Sequence, residues 1–126
     1  MPAKMILVIE NDDDTRLGFS EILSGRGYRV ALAASGGDGL RYLQTNDPPN
    51  LIILDMLMRG MDGWQFLKYR DARRPFVPVL IATALPVASA EWAAELGAHA
   101  WLQKPIDETT LVQKVAQCLR SSALIG

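Results

Sequence analysis

The chain is poor in the residues that build covalent cross-links and soft-metal sites, with one cysteine and one histidine among its 126 residues. Cys118 has no second thiol with which to form an internal disulfide, a redox pair or a cysteine-based zinc site, and this usage points to a reducing compartment. His99 has no cysteine or carboxylate at metal-ligand spacing and reads as a structural histidine. An excess of one charge is missing too. Thirteen Lys and Arg stand against fourteen Asp and Glu, a formal charge of −1, so no uniform field exists for gripping nucleic acid or an anionic membrane. The small basic group Arg70, Arg73 and Arg74 reads as a solvated helix end. Long apolar runs are also lacking. The run at residues 5–9 stops at Glu10 and an acidic cluster, far short of a signal-peptide core or the roughly 20 residues that cross a bilayer. The expectation is a soluble, cytoplasmic chain with neither a membrane nor nucleic acid as a direct partner.

What is present suits one globular domain over residues 1–126, since 49% of the chain is hydrophobic and 21% charged, enough for a real core at this length. Short apolar, β-branched runs recur at residues 5–9, 28–33, 51–54, 77–82 and 98–102, separated by segments of helical period. That alternation marks a parallel sheet with crossover helices. The second and fifth runs are weaker, as expected of strands with one side less covered. Asp13 or Asp14 is placed to cap a first helix that ends at Gly25 or Gly27, and Ser35 to cap a second. Asp62 suits the cap of a third helix, ended by Arg73, Arg74 and Pro75. Pro86 suits the first turn of a fourth. Asp107 suits the cap of the last, whose Leu111, Val115 and Leu119 make an inward stripe. The pattern is (βα)5, with no linker or repeat.

In open α/β sheets ligands bind beyond the carboxyl ends of the strands, and four of the five expected strand ends carry a group suited to phosphoryl or metal chemistry. These are Glu10 with Asn11, Asp55, Thr83 and Lys104. Taken singly each has an ordinary reading, as a solvated carboxylate, a turn hydroxyl or a surface ammonium. Together they specify more. Two carboxylates repel by about 4 kcal/mol at 4 Å with an effective dielectric near 20, so Glu10 and Asp55 side by side call for a cation. Oxygen ligands of this kind suit Mg²⁺. Such an ion, the Lys104 ammonium and the Thr83 hydroxyl would neutralise the equatorial oxygens of a phosphoryl group in transfer, with Asp55 placed as the nucleophile that forms an acyl phosphate.

These residues resemble the receiver domains of two-component response regulators. The similarity runs from residues 5–10 through Leu54-Asp55-Met-Leu-Met-Arg-Gly-Met-Asp62-Gly63 and Ile81-Ala-Thr83-Ala84 to Lys104-Pro105. The resemblance implies a flavodoxin-like three-layer α/β sandwich with a five-stranded parallel sheet of order 2-1-3-4-5. It implies phosphorylation of Asp55 by a partner sensor histidine kinase or histidine phosphotransfer protein, and an effector protein or domain downstream. Phosphorylation-dependent pairing of two copies stays open. Glu10 and the backbone carbonyl of Leu57 are the implied Mg²⁺ ligands beside Asp55. Thr83 would contact the phosphoryl group and Lys104 pair with it. Trp101, three residues before the lysine, is cast with Thr83 as a coupled switch on the surface of the fourth helix, fifth strand and fifth helix.

The chain departs from the family pattern at Asn11, where a second acidic metal residue is usual. Its carbonyl oxygen carries no charge, so Mg²⁺ affinity should be weaker. Asp12, Asp13 and Asp14 read as helix-start charges favoured by the macrodipole. Arg59 stands where proline is common and removes a φ restraint from the loop. Leu57 and Leu85, two residues beyond the aspartate and the threonine, offer attacking water no hydrogen bond, which implies slow self-dephosphorylation. Trp92 on the fourth helix is expected beside Trp101. Apart from this self-phosphorylation and slow dephosphorylation the chain is not expected to be an enzyme. Two alternatives remain. One is a degenerate receiver that binds partners without phosphorylation. The other is an aspartate-nucleophile phosphohydrolase, against which Leu57 stands where a second aspartate would serve. A flavin carrier on the same fold is disfavoured by the acidic loop after the first strand. Few residues come after the last helix, so the chain reads either as a stand-alone module or as a piece of a larger protein.

Overall fold

The computed structural model describes the backbone of residues 2–71 and 77–125 and the side chains of residues 2–70 and 77–120. Strand and helix alternate in the order β1 (Met5–Ile9), α1 (Asp13–Gly25), β2 (Arg29–Ala33), α2 (Gly36–Thr45), β3 (Leu51–Leu54), α3 (Gly63–Asp71), β4 (Val79–Thr83), α4 (Ala90–Glu95), β5 (Ala100–Gln103) and α5 (Glu108–Ile125). All strands pair in parallel in the order β2-β1-β3-β4-β5, the flavodoxin-like arrangement that the resemblance implied.

The burial of the strands follows from their place in the sheet. β3 and β4 are buried at every residue and β1 at all but Met5, because helices cover both faces. β2 and β5, at the edges, are only part-covered. Alternate side chains of the central strands feed two separate cores. Leu7, Ile9, Ile52, Leu54, Val79 and Ile81 pack with Leu43, Phe66 and Ala93 on one face. Ile6, Val8, Ile53 and Leu80 pack with Phe19, Leu23, Leu111, Val115 and Cys118 on the other.

The caps at Ser35, Asp62 and Asp107 form as read from the sequence. Ser35 Oγ accepts from Asp38 N–H at 3.1 Å, Asp62 Oδ1 from Gln65 N–H at 2.9 Å and Asp107 Oδ1 from Thr110 N–H at 2.7 Å. Gln65 Oε1 accepts in return from Asp62 N–H at 3.1 Å, completing a capping box.

Four readings need correction. The cap of α1 is Asp12, whose carboxylate accepts from both the N–H and the hydroxyl of Thr15. β4 starts at Val79, since Pro78 has no N–H to enter a ladder. α4 is one short helix capped by Ser89, and Pro86 sits in the turn before it. Arg70 is buried, not solvated, and its Nη1 donates to the Val77 carbonyl at 3.2 Å. Arg73, Arg74 and Pro75 lie outside the described residues.

Candidate functional site

The three central strands end side by side, and their ends carry the polar groups. Glu10 follows β1, and its N–H donates to Ala33 O at 3.0 Å. Asp55 follows β3, and its N–H donates to Ile9 O at 3.0 Å, which sets it one strand over from Glu10. Both carboxylates are buried. Lys104 follows β5, and its N–H donates to Thr83 O at 2.7 Å, so lysine and threonine are neighbours through the backbone. The Lys104–Pro105 peptide is cis.

Glu10, Asp55 and Lys104 meet directly. Lys104 Nζ pairs with Glu10 Oε1 and lies 3.7 Å from Asp55 Oδ1, so one ammonium serves two carboxylates. Glu10 Oε2 accepts from Asp12 N–H at 3.1 Å. Leu57 N–H donates to Asp55 Oδ1 at 3.2 Å. Burial, then the negative charge of Glu10, pushes the Asp55 carboxyl up from 3.8 to about 6, against the pull of Lys104. The pair therefore behaves as a carboxylate couple short of positive charge.

Local packing fixes Asp55. A side chain added at Gly63 would place its Cβ 2.6 Å from Met56 Cα and 3.0 Å from the Asp55 carbonyl. Only glycine lets the start of α3 approach the backbone beside Asp55 so closely. The loop between them turns at Gly60, whose φ is +75°.

The other expected site residues surround this group. Thr83 is fully buried, and its Oγ1 accepts from Leu85 N–H at 3.1 Å. Leu57 is exposed despite its backbone bond to Asp55. Asn11 is exposed on the rim of an open basin shared with Asp12, Asp13, Asp14, Ser35 and Arg59. Among the described residues no three His, Cys, Asp or Glu side chains converge as a metal-holding group. Trp101 is half-buried and packs on the same core as Trp92. The ring that Trp92 meets is that of Trp64 on α3, edge to face at 6.4 Å, and not that of Trp101.

Two contributors had no site role assigned from the sequence. Arg16 Nη1 donates to the Glu10 carbonyl at 2.9 Å and its Nη2 to Asp13 at 2.6 Å, bracing the loop after β1. Gln103 Nε2 donates to the Leu85 carbonyl at 3.2 Å. An arginine six residues after a strand-end carboxylate was a usable signal for the first. A bond spanning β5 and the loop after β4 had none.

The family profile described as "Response regulator receiver domain" matches residues 6–116. Protein PilH of Pseudomonas aeruginosa is 29% identical over 113 residues, covering 87% of this chain and 93% of PilH. The transcriptional regulatory protein AfsQ1 of Streptomyces coelicolor is 34% identical over 116 residues, covering 91% of this chain and 51% of AfsQ1. The crystal structure of a CheY-like response regulator receiver domain protein from Methanospirillum hungatei superposes with a TM-score of 0.88 at 28% identity, covering 98% of this chain and 99% of that one. Among the described residues no helix is long and apolar enough to cross a membrane.

Proposed function

The chain belongs to the response regulator receiver domain family, and from that premise we propose that residues 1–126 form one receiver domain whose Asp55 accepts a phosphoryl group in a two-component relay. The observation that carries this reading is the shared ammonium: Lys104 stands between two buried carboxylates at the carboxyl end of the sheet. The donor is the phosphohistidine of a partner sensor kinase or phosphotransfer protein. His99, exposed beside β5 and away from Asp55 in the sheet order, is not that donor.

In the transfer an Asp55 carboxylate oxygen attacks phosphorus, the donor's P–N bond breaks, and its electron pair returns to the imidazole, leaving an acyl phosphate. The Leu57 N–H already aims at Oδ1 and holds the nucleophile in orientation. Lys104, tied to Glu10, has donors left to pair with the phosphoryl oxygens. The Thr83 hydroxyl accepts from Leu85 and so keeps its own proton to donate to the same group.

The donor set suits Mg²⁺, a hard ion that takes one or two carboxylates with neutral oxygens and water. Glu10 and Asp55 would hold it, with the Leu57 carbonyl and the amide oxygen of Asn11, and when bound it would neutralise phosphoryl charge. Asn11 makes that hold weaker than a third carboxylate would. Leu57 and Leu85 give water no hydrogen-bonding side chain, so the acyl phosphate is long-lived. Movement of Thr83 toward the phosphoryl group couples to Trp101 and alters the surface of α4, β5 and α5 that an effector reads.

Incubation with acetyl phosphate and Mg²⁺, followed by intact-mass measurement, tests the proposal. One added phosphate on the parent and none on Asp55→Asn is the expected result. An unmodified parent that still captures its partner would point instead to a receiver working without phosphorylation, and steady turnover of simple phosphate esters to a hydrolase.

A further inference from the structure

The loop between β4 and α4 is held by two consecutive residues, Gln103 at the end of β5 and Lys104 directly after it. Lys104 binds the Thr83 carbonyl through its own N–H at 2.7 Å. Gln103, whose Cα pairs with that of Thr83 in the sheet, reaches past it with its side chain and donates Nε2–H to the Leu85 carbonyl at 3.2 Å. The other side of the same residue is also bound, since Leu85 N–H donates to Thr83 Oγ1 at 3.1 Å. The Leu85 carbonyl accepts once more from Ala88 N–H at 3.3 Å, in the turn that leads to α4. Gln103, Leu85 and the Thr83 hydroxyl thus form one chain of hydrogen bonds, running from a solvent-exposed amide to a fully buried hydroxyl.

We infer that Gln103 is a positioning residue for Thr83: its amide latches the loop in the arrangement in which the threonine hydroxyl is engaged by Leu85. The inference rests on the phosphoacceptor reading for its consequence, though the latch itself is a property of the phosphate-free protein. If the hydroxyl turns toward a phosphoryl oxygen, Leu85 N–H loses its acceptor and the loop shifts, which stretches the Gln103 contact. The latch therefore favours the resting arrangement, and a ligand that favours the other must overcome it. Water competes for an exposed amide, so the bias is modest, roughly five-fold in population for one such hydrogen bond.

Two variants separate donation from packing. Gln103→Met keeps the length of the side chain and removes the donor, whereas Gln103→Lys keeps a donor. In the phosphate-free protein, amide hydrogen exchange at Leu85 is expected to quicken roughly five-fold in the Met variant and to stay near the parent in the Lys variant. With Mg²⁺ present, the beryllofluoride concentration giving half of the tryptophan fluorescence change should fall by a similar factor in the Met variant alone. Parental exchange and a parental half-point in Gln103→Met would overturn the latch. Equal behaviour of the two variants would overturn it as well, by showing that the stem and not the donor matters. A parent that never responds to beryllofluoride sinks the phosphoacceptor reading, and Leu85 exchange still decides whether the latch exists.

Discussion

Replacing Asp55 with asparagine should stabilise this protein at neutral pH while removing its proposed chemistry. At pH 7.5 the parent buries an ionised carboxylate next to a second one, Glu10, with a single ammonium between them. The cost is visible in the rise of the Asp55 carboxyl from 3.8 to about 6, caused first by burial and then by Glu10. At ~1.36 kcal/mol per pH unit that rise corresponds to about 3 kcal/mol. Solvent at the mouth of the site screens part of it, which leaves about 1–2 kcal/mol. The sign follows from proton counting. Between pH 3.8 and about 6 the folded chain binds more protons at this residue than the unfolded one, so its contribution to stability falls as pH rises through that window. Asparagine does not titrate. Urea unfolding in EDTA should therefore show Asp55→Asn ahead of the parent by about 1–2 kcal/mol at pH 7.5, with the gap closing toward pH 4. A variant no more stable than the parent at pH 7.5, or a gap that widens on acidification, refutes the reasoning.

Asn11→Asp should tighten Mg²⁺ binding by roughly ten-fold, because it adds a charge where the chain has a neutral oxygen; a fluorescence titration with the ion reads this directly. Leu57→Asn and Leu85→Glu should each shorten the life of the acyl phosphate by offering water a hydrogen bond, and decay at the parental rate would count against that role. Gly63→Ala should cost about 3 kcal/mol, since its Cβ would stand 2.6 Å from Met56 Cα and the start of α3 would have to move away from the Asp55 backbone. Thermal melting measures that loss, and an unchanged midpoint would mean that the approach of α3 to β3 is not tight.

Glu10, Asp55, Thr83 and Lys104 were readable because each follows or ends an apolar run, and parallel topology brings such ends to one edge. The first and third strands were readable for a related reason: bounded runs of Ile, Leu and Val have few alternatives. Interchangeable chemistry obscured the start of α1. Asp12, Asp13 and Asp14 can all cap a helix, and only Thr15, which bonds Asp12 through both its N–H and its hydroxyl, selects among them. Pro86 signals a first helical turn, yet Ser89 three residues later takes the cap and shortens α4. The burial of Arg70 and the reach of Gln103 depend on partners seven and eighteen residues distant. No local pattern encodes such contacts.

The two outer strands bear on how this sheet meets other extended chains. An outer strand offers a row of unsatisfied peptide groups to any extended segment that drifts by, and long flat margins of that kind seed fibrous self-assembly. Here β2 is five residues long and begins at the exposed cation Arg29, while β5 is four residues long and runs into Lys104 and Pro105. Each margin is thus brief; the first opens on an exposed positive charge, and the second is closed by a ring that lacks an amide hydrogen. A foreign strand finds little to zip onto at either side, so crowding at high concentration should not convert the sheet into a template.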